Sequence, residues 1–394
     1  MAGTFQKFEG AENYCLSFIS PDSAPKSRTL NRIQHLMELL GNPQKHLHVI
    51  HVTGSYGKSS TAYMIASLLE QKGLTVGLHT KPHLESLTER MCINRMPIPN
   101  NIFIRYVNKI KLVVDTMSEQ PTYFELLVAI MLLYFHESHV DVAVIEVGRG
   151  GRLDATNICD SDMLVITNIF LVHTDILGNS KEKILNEKMG LARPHTKIIS
   201  GVSQKYLQTH MQHLAKQFQT TVQFSPINPK NDISIPFGGS AQQTNAALAI
   251  LAATTYTDFT DAQISTSFSS MKFPARFEVQ SVGTNTIIMD SAHNNEKIRF
   301  LLQDVQKNYP KQKMTVILRQ NNKEEIQTLS KILKPIASEF LIVSLGSDKH
   351  TNALSVEEVV HLIKDQSNTL FLITGSMRLI GSIRAGLSIP YRLK

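Results

Sequence analysis

At 394 residues the chain is long for one domain and comfortable for two, and a hydrophobic content of 42% supplies sizeable cores. Three widely spaced cysteines, Cys15, Cys92 and Cys159, make neither a disulfide framework nor a zinc site and point to a reducing compartment. The formal charge of +7 is spread along the chain without a basic block or interleaved aromatics, and Trp is absent. Diffuse positive charge suits anionic small substrates and argues against nucleic acid as a partner.

Met1 to Gly10 carries no apolar stretch of the secretory kind, so no leader is expected. The first strand signal is the apolar run His48-Val49-Ile50-His51-Val52. Thr61 to Lys72 then places Met64, Ile65, Leu68 and Leu69 at helical spacing, and Gly73 stops it. Between them lies Gly54-Ser55-Tyr56-Gly57-Lys58-Ser59-Ser60. A glycine turn joining a strand to a helix aims backbone N–H groups and the helix N-terminus at one spot, which suits a phosphate chain. Lys58 adds a mobile positive charge for the terminal phosphates, and Ser59 or Ser60 a hydroxyl for Mg²⁺. The turn is shorter than a full P-loop, because Val52 stands where that pattern has its first Gly.

Further along, strand signals at Thr75–Leu78, Val140–Glu146, Met163–Asn168 and Lys197–Gly201 alternate with helical patterns at Phe124–Glu137 and Lys181–Leu191. That alternation predicts an α/β fold, a parallel sheet with helices on both faces. The longest apolar run, Leu126 to Phe135, is too short to span a bilayer, and a soluble cytoplasmic protein with no membrane partner is expected. A second, smaller α/β unit begins near Lys272: strands at Thr286–Met289, Met314–Leu318, Phe340–Val343 and Thr369–Ile373, helices at Glu296–Asn308, Lys323–Ile336 and Val356–Asp365. The expected domains are residues 1–271, binding the nucleotide, and 272–394, with substrates in the cleft between them.

The strand Val140–Glu146 ends in a carboxylate and runs into Gly148-Arg149-Gly150-Gly151-Arg152. Ligands of open parallel sheets sit beyond the carboxyl ends of strands, so Glu146 is expected beside the phosphate turn, able to hold Mg²⁺ directly or through water.

These motifs, with Thr80-Lys81-Pro82-His83-Leu84, Leu153-Asp154-Ala155-Thr156-Asn157, His173-Thr174-Asp175, Gln243-Thr244-Asn245, Pro274-Ala275-Arg276-Phe277-Glu278 and Asp290-Ser291-Ala292-His293-Asn294, follow one another in a recognisable order. Together they resemble the folylpolyglutamate synthase/dihydrofolate synthase branch of the Mur ligase superfamily, over nearly the whole chain. The resemblance implies a P-loop-containing parallel sheet domain followed by a smaller Rossmann-like C-terminal domain. It implies ATP and Mg²⁺ as cofactors, with ATP held by Gly54, Ser55, Gly57, Lys58, Ser59, Ser60, Asn245 (adenine end), Arg276 (phosphates) and Asp290 (ribose or domain interface). The metal ligands it implies are Ser59, Ser60, Glu146 and His173, with Lys188 holding a second ion once carbamylated. His293 corresponds to an active-site histidine near the transferred phosphate, so that Lys58, Lys188, Arg276 and His293 form the catalytic set.

The implied chemistry is ATP-dependent amide formation: a substrate carboxylate takes the γ-phosphoryl group, and L-glutamate displaces phosphate from the acyl phosphate. The acceptor is dihydropteroate, a reduced folate or both, the partners are small molecules, and the protein acts as a monomer. Four departures from the family pattern stand out: Lys81 for a metal-binding Ser, Val172 for an Asp, Tyr56 for an Asn, and Arg319 to Lys323 for a glycine followed by an acidic turn. A lysine ammonium cannot ligate a metal but can carry part of its charge. The alternatives are a Mur-type ligase with a different acceptor or amino acid, and a nucleotide-binding paralogue without catalysis.

Overall fold

A computed structural model describes residues 4–19, 29–225, 240–320, 322–345 and 353–390. The chain divides into two units, the first comprising Met1–Lys81, Leu87–Ile233 and Thr244–Phe268. Its strands are β1 (Val49–Thr53), β2 (Val76–His79), β3 (Met91–Ile93), β4 (Met96–Pro97), β5 (Val142–Glu146), β6 (Met163–Ile166), β7 (Lys197–Ser200) and β8 (Val222–Phe224). Its helices run in order as α1 (Phe8–Leu16), α2 (Asn31–Leu39), α3 (Lys58–Gln71), α4 (Asn100–Val114), α5 (Tyr123–Glu137), α6 (Thr174–Leu177), α7 (Lys181–Met189), α8 (Lys205–Gln217), α9 (Ser240–Tyr256) and α10 (Asp261–Ser269).

The sheet order is β4-β3-β2-β5-β1-β6-β7-β8. β1 and β5 are buried along their whole length, as near-continuous Val and Ile runs at the centre of a parallel sheet must be. Pairing sets Val52 opposite Glu146 and Thr53 opposite Ile166, so β1, β5 and β6 end together and their loops leave from one edge. The parallel sheet that the alternation predicts therefore forms from β2 to β8. At its other end β3 and β4 join antiparallel, through Asn94 and Arg95, both at positive φ as a tight hairpin turn needs. No glycine marks this turn; instead the Arg95 guanidinium is held 2.6 Å from Glu70 on α3.

Leu126 to Phe135 lies wholly buried within α5, whose start carries a capping box between Thr122 and Glu125. Among the described residues no helix is long and apolar enough to cross a membrane. All three cysteines are free and buried.

The second unit comprises Pro82–Ser86, Ser234–Gln243 and Ser269–Lys394. It holds β9 (Glu278–Val282), β10 (Asn285–Met289), α11 (Asn295–Asn308), β11 (Met314–Leu318), α12 (Lys323–Leu333), β12 (Ala337–Ile342), α13 (Val356–Asp365), β13 (Leu370–Thr374) and α14 (Met377–Gly386). The sheet order is β12-β11-β13-β10-β9, parallel except for β9 against β10. Successive side chains go to opposite faces: Ile287, Phe371 and Ile373 pack with α13 and α14, while Ile288, Val316 and Leu372 pack with α11 and α12. Each face thus has its own core, the two-layered cover of a Rossmann-like sheet.

Candidate active site

The phosphate turn forms where β1 ends. Gly57 caps α3 at φ +77°, and a side chain there would press into Asn245 Oδ1 on α9. Only glycine meets both demands without strain. The turn is fastened from below by the loop after β6: Asn168 takes the Ser55 N–H on its carbonyl at 3.0 Å and the Tyr56 N–H on Oδ1 at 2.9 Å. Thr167 Oγ1 donates to the Tyr56 carbonyl at 2.6 Å. Tyr56 itself packs on Phe170, ring centroids 5.4 Å apart, so this departure has an aromatic partner of its own. The first turn of α3, Lys58-Ser59-Ser60, then presents the N–H groups that a helix start leaves without intrahelical partners.

Two lysines converge on one carbonyl. Lys58 Nζ and Lys188 Nζ each donate to the Gly54 oxygen at 3.1 Å. Lys188, in the last turn of α7, is 2% exposed, so it is not the surface lysine that its sequence neighbours suggest. Burial, with Lys58 next, pulls the Lys188 pKa down to about 7. Burial and then Lys81 bring Lys58 down to about 8, against the pull of Glu146 and Asp154.

The glycine run explains how α7 comes so close. A Cβ on Gly151 would lie 2.6 Å from the Glu187 carbonyl and 3.0 Å from Lys188 Cα. Asp154 braces the run, accepting from the Arg149 N–H at 2.8 Å and from Thr156 Oγ1 at 2.7 Å. Asn157 ties it to α7 by donating to the Arg152 and Gly190 carbonyls.

Glu146 ends β5 almost fully buried, and its Oε2 accepts the Lys81 N–H at 3.0 Å. The Lys81 carbonyl accepts from Ser59 Oγ at 3.2 Å, so Lys81 sits between two of the residues expected to hold a metal. Its ammonium lowers the pKa of Lys58, Lys188 and His173, so its charge is felt throughout the site. Ser60 is buried in α3. His173 begins α6 with φ +51° and is exposed; burial, then Arg149, hold its pKa below the ordinary value, keeping the neutral ring that can ligate. Among the described residues no group of three His, Cys, Asp or Glu stands ready to hold a metal. The carboxylate and hydroxyl oxygens present suit Mg²⁺ when phosphate oxygens complete its shell.

Asn245 lies in the second turn of α9 rather than opening that helix, because α9 already starts at Ser240. In unit 1 the structure thus brings together Gly54, Ser55, Gly57, Lys58, Ser59, Ser60, Asn245, Glu146 and Lys188.

In unit 2 the expected residues gather where β10 and β13 end. Asp290 accepts the Phe277 N–H on one oxygen and the Ala292 N–H on the other, both at 2.8 Å. Burial raises its pKa, and Arg276 opposes that. Arg276 lies between Ala275 and Phe277, both at positive φ, and its Nη1 donates to Ser291 Oγ and to the Ala275 carbonyl. His293 Nδ1 lies 2.8 Å from the Ser291 carbonyl, so Nδ1 carries the proton and Nε2 the lone pair. Burial and Lys297 keep its pKa below the ordinary value. Asn294 caps α11 by accepting from the Lys297 N–H. Gln320, from the departing stretch 319–323, donates to the His293 and Gly375 carbonyls and so fixes the histidine loop. Asn321 of that stretch lies outside the described residues.

Sequence reading passed over Thr167 and Asn168, although a polar pair closing an apolar strand signals that the strand's end is in use. It gave Asp154 and Gln320 no task; their hydrogen bonds are long-range and have no sequence period.

A phosphate turn on the middle strand of a parallel sheet, with an acid at the next strand's end, defines a Mur-type ligase core, and residues 52–279 match the Mur ligase middle domain. The chain is 30% identical to the dihydrofolate synthase/folylpolyglutamate synthase of Bacillus subtilis (strain 168), over 90% of this chain and 94% of that protein. The apo form of L. casei FPGS superposes with a TM-score of 0.87 at 27% identity, covering 97% of this chain and 100% of that one. A solved FPGS-AMPPCP-folate complex gives 0.83 at 27% identity, with the same coverage. The chain belongs to the dihydrofolate synthase/folylpolyglutamate synthase family of Mur ligases.

Proposed function

We propose that the chain is an ATP-dependent ligase that joins L-glutamate to the carboxylate of dihydropteroate, of a reduced folate, or of both, through an acyl phosphate. The observation that carries this reading is the pair of lysines on the Gly54 carbonyl under the start of α3, with Glu146 at the neighbouring strand end. A related structure holds AMPPCP and folate together, which supports a nucleotide and a folate as co-substrates here.

In the proposed reaction Lys58 turns from the loop carbonyls to the terminal phosphates and offsets the charge of the transferred group. The substrate carboxylate oxygen attacks the γ-phosphorus, the bond to the β-phosphate oxygen breaks, and ADP leaves. The neutral amine of glutamate then attacks the acyl carbon, and phosphate departs with the electron pair. Ser59, Ser60, Glu146 and His173 are the proposed holders of Mg²⁺, which when bound neutralises phosphate charge. Arg276 is assigned to the phosphates, His293 to the transferred group, and Asp290 and Asn245 to the ribose and adenine. Residues 1–271 and 272–394 are the proposed nucleotide-binding and C-terminal domains, of a monomeric cytoplasmic enzyme.

Lys188, largely neutral near pH 7, is the proposed carbamylation site. Its amine adds to carbon dioxide and loses a proton, giving a carboxylate-like group where an ammonium stood. Intact mass in bicarbonate, with and without Lys188→Met, reads this directly as one added carbon dioxide.

The test of the main reading is ADP release with Mg-ATP and L-glutamate, comparing dihydropteroate, tetrahydrofolate and no acceptor, with products weighed. A product heavier by one glutamyl residue is expected and names the acceptor. Nucleotide binding without acceptor-dependent ADP overturns the assignment.

A further inference from the structure

Arg384 on α14 is a charged side chain only 1% exposed, and every group around it belongs to unit 2. Its Nε donates to Glu85 Oε1 at 3.1 Å, its Nη1 to Glu278 Oε1, and its Nη2 to the Pro390 carbonyl at 2.9 Å. One guanidinium thus stands between two carboxylates. An interior ion triad is costly to assemble, so its presence calls for a task beyond stability.

One carboxylate leads to Arg276. The other oxygen of Glu278, Oε2, accepts the Ala275 N–H at 2.8 Å. Ala275 and Phe277 flank Arg276 at φ +59° and +52°, conformations that cost L-residues free energy and persist only when the surroundings impose them. Glu278 holds the first of these residues and Asp290 the second. Without Arg384, Glu278 would be drawn away from the Ala275 N–H by its uncompensated charge.

The second carboxylate leads to a segment of separate origin. Glu85 belongs to Pro82–Ser86, which joins unit 2 directly after Lys81, whose N–H is on Glu146. Leu84 of this segment is buried with Ala275, Ile380 and Ile383. A Cβ on Gly381 of α14 would collide with the Leu84 carbonyl, so the backbone itself is seated on the helix. Arg384 therefore gathers, in one charged network, the turn carrying Arg276 and the segment that continues from Lys81.

Resting on the phosphate role given to Arg276 above, we propose that Arg384 is a positioning residue for Arg276: through Glu278 it sets the strained Ala275–Phe277 turn. Lysine keeps the charge but lacks the fork needed to hold Glu85, Glu278 and the Pro390 carbonyl at once.

The test is a double-mutant cycle on kcat and KM for ATP in acceptor-dependent ADP release, using Arg276→Ala, Arg384→Lys and the pair, with thermal melts alongside. Arg384→Lys alone is expected to lower kcat about tenfold to a hundredfold, as small misplacements of a phosphate-binding group do, with melting nearly unchanged. In the Arg276→Ala background it is expected to cost nothing more. A loss that multiplies with that of Arg276→Ala, or no loss at all in Arg384→Lys, overturns the proposal while leaving the role of Arg276 standing. Full activity in Arg276→Ala removes that role and the proposal with it. If Arg384→Lys fails to fold, Glu278→Gln takes its place in the same cycle under the same criteria.

Discussion

Lys188 is where a single side chain carries most consequence. Lysine ordinarily titrates near 10.4, and here burial and Lys58 bring it down to about 7. The unfolded chain keeps this proton up to about pH 10.4 and the folded chain only up to about 7, so between those limits folding releases it. Stability therefore rises with pH across that window, and the full cost of burying the ammonium is present below pH 7. Lys188→Met, in protein freed of bicarbonate, is expected to be more stable than the parent in urea melts near pH 6 and to lose most of the rise toward pH 10. Removing the charge also relieves Lys58, which adds to the effect. A less stable Lys188→Met near pH 6 would mean that the ammonium is solvated after all.

At the scale of the element, α5 shows how a helix start is held from outside. Arg32 on α2 is 7% exposed and donates to Glu125 Oε2 at 3.2 Å, the same oxygen that takes the Thr122 N–H in the capping box. Its other partner, Glu119, is 64% exposed. Breaking a buried pair leaves an uncompensated charge, so Arg32→Met is expected to cost about 3 kcal/mol in a denaturant titration. Glu119→Ala should cost no more than about 0.5 kcal/mol, since exposed pairs contribute little. Comparable losses in the two variants would show that Glu125 finds water when Arg32 is gone. The helices themselves were legible: Tyr123–Glu137, Lys181–Met189 and Val356–Asp365 fall on apolar patterns of the right period, with capping side chains at Thr122, Ser180 and Ser355. The β3–β4 hairpin was not, because Asn94 and Arg95 adopt positive φ without a glycine to announce it.

For the molecule as a whole, the excess of positive charge gathers locally into Lys58, Lys81, Lys188 and Arg149, whose mutual effects lower one another or His173. A polyanionic ligand relieves that repulsion. An ATP analogue at a hundred times its Kd is expected to raise the unfolding free energy by about 2.7 kcal/mol, read as a rise in Tm. Lys58→Met should abolish most of that rise while leaving the apo Tm the same or higher, and an unchanged shift would remove Lys58 from the phosphate site. In Lys81→Ser the rise should depend more steeply on Mg²⁺, because part of the fixed positive charge is gone.

Much of this was written along the chain. The strand at Val49–Thr53, the turn from Gly54 to Gly57 and the acid closing Val142–Glu146 depend on local spacing and burial, which neighbouring residues impose on one another. So do the two alternating halves and the motifs that resemble the ligase family. Other features came only with tertiary structure, because they depend on residues far apart in sequence: Lys188 sharing the Gly54 carbonyl with Lys58, Asn168 fastening Ser55 and Tyr56, and Glu85, Glu278 and Arg384 meeting in one charged cluster. A lysine or arginine has no local pattern that tells a solvated charge from a buried one. Only the packed interior, by withdrawing water from the ammonium and supplying particular oxygens in its place, decides which it is.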